Sequence, residues 1–201
     1  MSYRSQLKLF FHPLAFSQPD NAATGLSRPN ASISLHYTGS APLTTTLRFF
    51  LQLLQASLQA LPQCETRIPD LLNLVSSGWD TALTVAEAER RLNLEAMTEA
   101  RIVSDERLCV ASTLLLVKAR SKVRVAFEVS AAVGGAGKDG GLALSTTVEP
   151  RVETVYGEAY NEKKMTEFVA KEVGGGFEGW EGVVRELREK LVARGVKGVR
   201  K

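Results

Sequence analysis

The chain has 201 residues, of which 44% are hydrophobic and 23% charged, and its formal charge is +3 at pH 7. That size and apolar content exclude a disordered tail, allow one large domain or two small ones with an ample core, and lack the strong basic bias of a nucleic-acid binder. Two cysteines without CxxC spacing, Cys64 and Cys109, exclude a disulfide scaffold or zinc ribbon, and no apolar run approaches the roughly 20 residues of a membrane helix.

The N-terminal MSYRSQLKLFFHP lacks the long apolar stretch and cleavage site of a signal peptide, so an intracellular, soluble protein is expected. Residues 6–11 (QLKLFF) alternate weakly and predict a strand that Pro13 stops. Residues 17–30, rich in Ser, Pro, Asn and Gly, predict a loop. Residues 33–37 (ISLHY) predict a second strand paired with the first. His12 and His36 lie in or beside these strands with no carboxylate or cysteine at ligand spacing. They read as partly buried strand histidines rather than metal ligands.

Residues 43–61 predict an amphipathic helix with Leu43, Leu47, Phe50, Leu51, Leu54, Leu58 and Leu61 on one stripe. Thr44 and Thr45 suit its N-cap, and Pro62 ends it. A second helix is predicted over 69–94, burying Leu72, Val75, Trp79, Leu83 and Ala86. Gly78 inside it costs about 1 kcal/mol relative to Ala unless something approaches closely there. Glu87 and Arg91 form a favourable i,i+4 pair on a solvated face.

Four strand-like segments follow at 99–103, 108–117, 122–132 and 142–156. In the third, Val123, Val125, Phe127 and Val129 alternate with Lys122, Arg124, Ala126 and Glu128, which predicts one buried and one wet face. The second is apolar on both sides, as a strand covered on both faces would be. Lys118 to Ser121 form the turn between them. In the fourth strand, Leu142, Leu144, Thr146 and Val148 share a face, and Pro150 predicts a bend or an edge. The glycine-rich 134–141 (GGAGKDGG) is not a phosphate loop. Ala132 stands where the first Gly is needed, Asp139 follows Lys138, and the segment joins strands. It reads as a flexible hairpin loop. Helices are predicted over 162–173, with Met165, Phe168 and Val169 on one face, and over 180–192, with Val183 or Val184, Leu187 and Leu191. A loose basic tail should follow from residue 194.

This order predicts an α+β fold: an antiparallel four-stranded meander packed on one face by helices. It is similar to the RWD fold, a relative of the ubiquitin-conjugating fold. Residues 1–62 form an N-terminal unit of two strands and a helix, resembling a shortened copy of such a module or an extension of it. Residues 63–195 form the RWD-like domain, and 196–201 a basic flexible tail. The conjugating-enzyme relation would need an exposed cysteine and an upstream His-Pro-Asn. Cys109 lies in the most apolar strand, Cys64 precedes the sheet, and His12-Pro13 is followed by Leu14. No enzyme, cofactor or metal is expected.

Three blocks carry a closer resemblance: RFFLQLLQASLQALPQCETRIPDLLNLVSSGWDTALTVAEAERRLNL, SDERLCVASTLLLVKARSKVRVAFEV and VYGEAYNEKKMTEFVAKEVG. In this order they resemble the C-terminal region of the fungal kinetochore scaffold called blinkin, or Knl-one, in animals. The resemblance implies a nuclear, centromeric protein that anchors the scaffold to subunit tails of the Mis-twelve (MIND) complex, for chromosome segregation and checkpoint signalling. It implies a preceding coiled coil that binds a Zwint-type partner. The family's N-terminal motifs are absent, so this piece should bind rather than signal, as a monomer, without contacting nucleic acid or membrane. An RWD-type adaptor in another assembly and an inactive conjugating-enzyme relative are the alternatives. From the residues themselves, Lys118, Arg120, Lys122 and Arg124 put four positive charges at a hairpin turn, where an acidic tail would be steered. The junction of the N-terminal unit with the main module is a second candidate groove.

Overall fold

The structure is a computed structural model and describes residues 2–10, 33–60, 68–135, 142–157 and 160–198. It is α+β, with four α-helices and two antiparallel sheets among the described residues. The predicted loop at 17–30, His12, Leu61, Pro62 and Cys64 lie outside the described residues. The chain divides into two compact units, one of residues 1–83 with 132–145 and one of residues 84–131 with 146–201. The division falls after Leu83, within a helix.

In the first unit, β1 (Ser2–Tyr3), β2 (Leu7–Phe10) and β3 (Ser34–Tyr37) form an antiparallel sheet in that order. The sequence predicted β2, β3 and their pairing, and did not reveal β1. Arg4 (φ 47°) and Ser5 (φ 55°) both adopt positive φ, and Gln6 N–H donates to Tyr3 O at 3.0 Å. Two successive left-handed residues close this short connection, a backbone that Gly or Asn normally signals and Arg-Ser conceals. Side-chain contacts hold this turn: Tyr3 OH donates to Asp80 Oδ2 at 2.9 Å, and Arg4 pairs with Asp80 at 3.1 Å. His36 is exposed rather than partly buried, and its Nε2 lies 3.0 Å from Ser34 Oγ.

Helix α1 (Thr45–Ala60) starts at Thr44, whose Oγ1 accepts from Leu47 N–H at 3.2 Å. It buries Thr46, Phe49, Phe50, Leu53, Leu54 and Leu58. The predicted stripe was right at Phe50, Leu54 and Leu58. Leu43, Leu47 and Leu51 are only half-buried. The run RFFLQLL offers two adjacent stripes, and the one with both phenylalanines removes more apolar area from water. The Gln55 amide covers the β3 edge, donating to Ile33 O at 3.0 Å and accepting from Leu35 N–H at 2.6 Å.

Helix α2 (Ile68–Glu95) buries Val75 and Trp79 as predicted, together with Leu71, Leu74, Ala82, Val85, Ala88 and Leu92. Leu72, Leu83 and Ala86 are half-buried, again because neighbouring apolar residues compete for one face. Trp79 Nε1 donates to Gln6 Oε1 at 3.1 Å. Gly78 permits a close approach: a Cβ there would lie 2.6 Å from Leu54 Cδ2.

The second sheet runs β4 (Met97–Ser104), β5 (Arg107–Leu116), β6 (Ser121–Gly135), β7 (Leu142–Tyr156), the predicted antiparallel meander. Val123, Val125, Phe127 and Val129 of β6 are all fully buried, opposite Leu114, Ser112, Val110 and Leu108 of β5. Buried Ser112 is satisfied by the Thr98 hydroxyl of β4 at 2.9 Å. On the other face of β5, Cys109 and Ala111 form a small buried cluster with Ala126. These short side chains lie among Glu99, Arg101, Arg124 and Glu128, whose charges surround Cys109. Towards its C-terminal end this face is open, with Thr113 half-buried and Leu115 exposed, so β5 is not covered on both sides throughout. β7 continues through Pro150, tolerated because β7 is the last strand in the sheet. Residues 136–141 of the glycine linker lie outside the described residues.

Helix α3 (Glu162–Val173) has the predicted bounds. Asn161 caps it by accepting from Lys164 N–H at 3.0 Å, and Met165, Val169 and Val173 are buried, with Phe168 half-buried. Helix α4 (Trp180–Gly198) buries Val183, Val184, Leu187 and Leu191. The Trp180 ring stacks on Phe127 at 4.2 Å, so α4 covers the inner face of β6. It continues beyond the predicted end at 192 through most of the basic stretch expected to be loose. Gly195 costs only about 1 kcal/mol, too little to end a helix already docked along this stripe.

Surface ion pairs tie α4 to the C-terminal half of α2, Arg185 to Glu95 at 2.6 Å and Arg91 to Glu181 at 3.6 Å. Glu87 accepts from both Arg90 and Arg91, at 2.7 and 2.9 Å, and the Arg90 hydrogen bonds, then those of Arg91, hold its carboxyl down to about 2.

Two outcomes follow. Trp79→Ala or Phe127→Ala should cost about 3–5 kcal/mol by chemical denaturation. An unchanged midpoint would place these side chains on the wrong faces. Glu87 has a folded pKa below its ordinary 4.5, so its contribution is full above that value and is lost as pH falls towards about 2. A carboxyl-detected NMR titration should give a midpoint near 2 in dilute salt. A midpoint at 4.5 would dissolve the two-arginine clamp.

Candidate interaction surface

The β5–β6 turn is a single turn of 3-10 helix, Val117–Ala119, closed by Arg120 in the left-handed region at φ 47° and ψ 41°. Arg120 N–H donates to Val117 O at 3.2 Å, and Ser121 Oγ donates to Ala119 O at 2.9 Å. The end of β7 lies against this turn. Gly157, at φ +99°, has room for no side chain, because a Cβ there would sit 2.5 Å from Arg120 O and 2.6 Å from Ser121 Cα. Lys118 and Arg120 are exposed, and Lys122 is half-buried at the start of the outer face. None of these three has an ion-pair partner among the described residues. Arg124 is engaged differently. Its guanidinium lies 3.4 Å from Glu99 of β4 and 3.5 Å from Glu153 of β7, so it fastens strands of the sheet.

The cations stand beside apolar residues that the sequence reading did not assign to the site. Of the eight large apolar residues exposed among those described, six lie at this end of the second sheet: Leu94, Met97, Leu115, Val117, Val155 and Tyr156. Met97 is 71% exposed and Leu115 57%. The two share the outer face, since Met97 pairs with Thr113, two residues from Leu115. Leu115 pairs with Lys122. The contacts of Glu153 with Arg124 and of Gly157 with Ser121 bring Val155 beside Lys122 on the next strand. A shallow hollow of about 170 Å³ opens beside Met97 and Leu115, with Glu95 and Arg188 also in its wall. Leu115 and Val117 were visible in the sequence as the second apolar side of the strand, but a strand covered on both faces has the same pattern.

Both edges of this sheet resist strand addition. β4 carries Glu99 and Arg101 and shifts register between Ile102 and Ser104, a bulge that interrupts a ladder. β7 has Pro150, which has no N–H to offer, in mid-strand. A partner would therefore engage side chains at the sheet's end more readily than backbone along its edges.

Other chemistry finds little footing. Cys109 is buried, and burial first of all pushes its thiol up, with the nearby carboxylates adding to the effect against Arg124 and Arg101. That is the reverse of an activated nucleophile. No group of three His, Cys, Asp or Glu side chains is placed to hold a metal among the described residues. Among the described residues, no helix is long and apolar enough to cross a membrane. The first unit holds an apolar hollow of about 440 Å³ between β1–β3 and α2, where, among the described residues, Tyr3, Asn73 and Ser76 contribute the polar groups.

Comparison with models of protein families, with curated proteins and with solved structures finds no match to this chain.

Iodoacetamide should label Cys109 of the folded protein far more slowly than the unfolded chain at neutral pH, as peptide mass spectrometry would show. Labelling of Cys109 at the rate of a free thiol would reopen the thiol-chemistry reading.

Proposed function

We propose that this chain is a non-enzymatic docking module, the C-terminal region of a fungal kinetochore scaffold of the Knl-one or blinkin type, which anchors that scaffold to the Mis-twelve (MIND) complex at the centromere. The observation behind a docking role is the gathering of exposed apolar residues and unpaired cations at one end of a sheet whose edges resist pairing. Patches of this composition on an otherwise polar surface are the mark of interaction sites. The choice of partner rests on the three sequence blocks described above. The order of a helix, a four-stranded antiparallel meander and two further helices is in keeping with an RWD-type module. In this reading a Zwint-type partner binds the preceding coiled coil, and the module acts by holding its place in the assembly, without cofactor or catalysis.

The same surface would serve an RWD-type adaptor of another assembly, and the choice of partner separates the two. Isothermal titration of the fragment with recombinant MIND complex should show one-to-one binding tighter than about 1 μM. Absence of binding, also in the presence of the preceding coiled coil and its partner, would reject the kinetochore assignment.

A further inference from the structure

We infer that the β5–β6 end of the second sheet receives a short acidic segment anchored by large apolar side chains, and that Lys118, Arg120 and Lys122 select it by charge while Met97, Leu115 and Val155 hold it. This deepens the docking reading and rests on it.

The charge argument is local. The carboxylates nearest this end are engaged: Glu95 accepts from Arg185 at 2.6 Å, Glu99 and Glu153 flank Arg124, and Glu162 accepts from the Thr154 N–H at 2.7 Å. Lys118, Arg120 and Lys122 are left without ion pairs among the described residues, so the field there is positive although the whole chain carries only +3. Arg188, at the hollow, bonds a backbone carbonyl of Glu95 at 3.5 Å, which leaves its charge available. A segment rich in carboxylates would be steered here, and a basic one repelled.

The apolar argument fixes the rest. Three cations at a turn and the start of the next strand give weak, salt-sensitive attraction by themselves. Met97, Leu115 and Val155 add a floor that a purely acidic segment cannot use. A ligand with two or three large apolar side chains bracketed by carboxylates satisfies both. Duplex nucleic acid would bring the charge but nothing to cover that floor.

The test is selection of a phage-displayed random peptide library on the folded fragment, with affinities of the enriched peptides measured by fluorescence anisotropy. Enriched sequences should combine Asp or Glu with Leu, Ile, Phe or Trp. Their affinity should fall about tenfold or more in Leu115→Ser and in the double variant Lys118→Glu/Lys122→Glu. Leu115 and Lys118 are exposed and Lys122 is half-buried, and circular dichroism checks that each variant stays folded. Amide shifts on peptide addition should centre on Met97, Leu115 and Lys122. Enrichment of basic or uncharged peptides, no enrichment, or affinities untouched by both variants would overturn the inference. So would sedimentation showing a dimer of the free fragment that Leu115→Ser dissociates, since the patch would then be occupied by a second copy of the chain. Titrating MIND complex into the same proteins keeps the two readings apart. MIND binding that ignores these variants sinks the surface and spares the partner. Acidic peptide binding without MIND binding sinks the partner and spares the surface.

Discussion

Four side chains of β6 that cannot be left in water organise the second unit. Val123, Val125, Phe127 and Val129 are completely buried on one face of a strand whose other face bears Lys122, Arg124 and Glu128. At roughly 25 cal/mol per Å² of apolar surface, such a row drives association with anything that shields it. β5 supplies the same face beside it, and α4 supplies the roof, with the Trp180 ring lying nearly parallel to Phe127 at 5°. Other details answer to that burial. Ser112 falls on the inner face by register and must find a hydroxyl partner, which Thr98 provides. α4 must cross the sheet at a height that lets Trp180 reach Phe127, and its surface arginines then meet Glu95 and Glu181.

Where one residue pattern admits only one reading, the sequence was informative. The alternation of β6 could be nothing but a half-buried strand, and α3 keeps the bounds 162–173 that its sequence predicts. Where apolar residues stand side by side, the phase was ambiguous. In α1, Phe49 and Phe50 are adjacent and both are buried, which turns Leu47 and Leu51 partly outward, and in α2, Leu71 is buried where its neighbour Leu72 is not; tertiary packing set the phase of each stripe, which no local rule can do. β1 was hidden for a different reason. Its turn uses Arg4 and Ser5 in a backbone region they rarely occupy, and the Asp80 that steadies them is far along the chain. The basic turn was legible as a charge cluster. Its apolar companions Met97, Leu115 and Val155 come from three separate strands, and only folding brings them to one place. Arg124 looked like its neighbours in sequence, and its two carboxylate partners set it apart in structure.

Exposed hydrophobic surface is usually a liability on a sheet, because the same residues that attract a partner invite other sheets. Here the two hazards are separated in space. The apolar residues lie at the end of the strands, while the edges bear a bulge and charges on one side and a proline on the other. A protein arranged in this way can keep a sticky region without offering a template for open-ended pairing. The small sheet of the first unit solves its edge otherwise, with the Gln55 amide occupying the β3 backbone.

The chain contains two tryptophans, and each compact unit owns one. Trp79 is buried in the first, with its indole N–H on Gln6, and Trp180 is buried in the second, with its indole N–H on the Gly176 carbonyl. Nature has thus fitted each half with its own lamp. With one indole replaced by phenylalanine, the emission of the other speaks for a single unit, and the order in which the two lose their shelter can be read as colour.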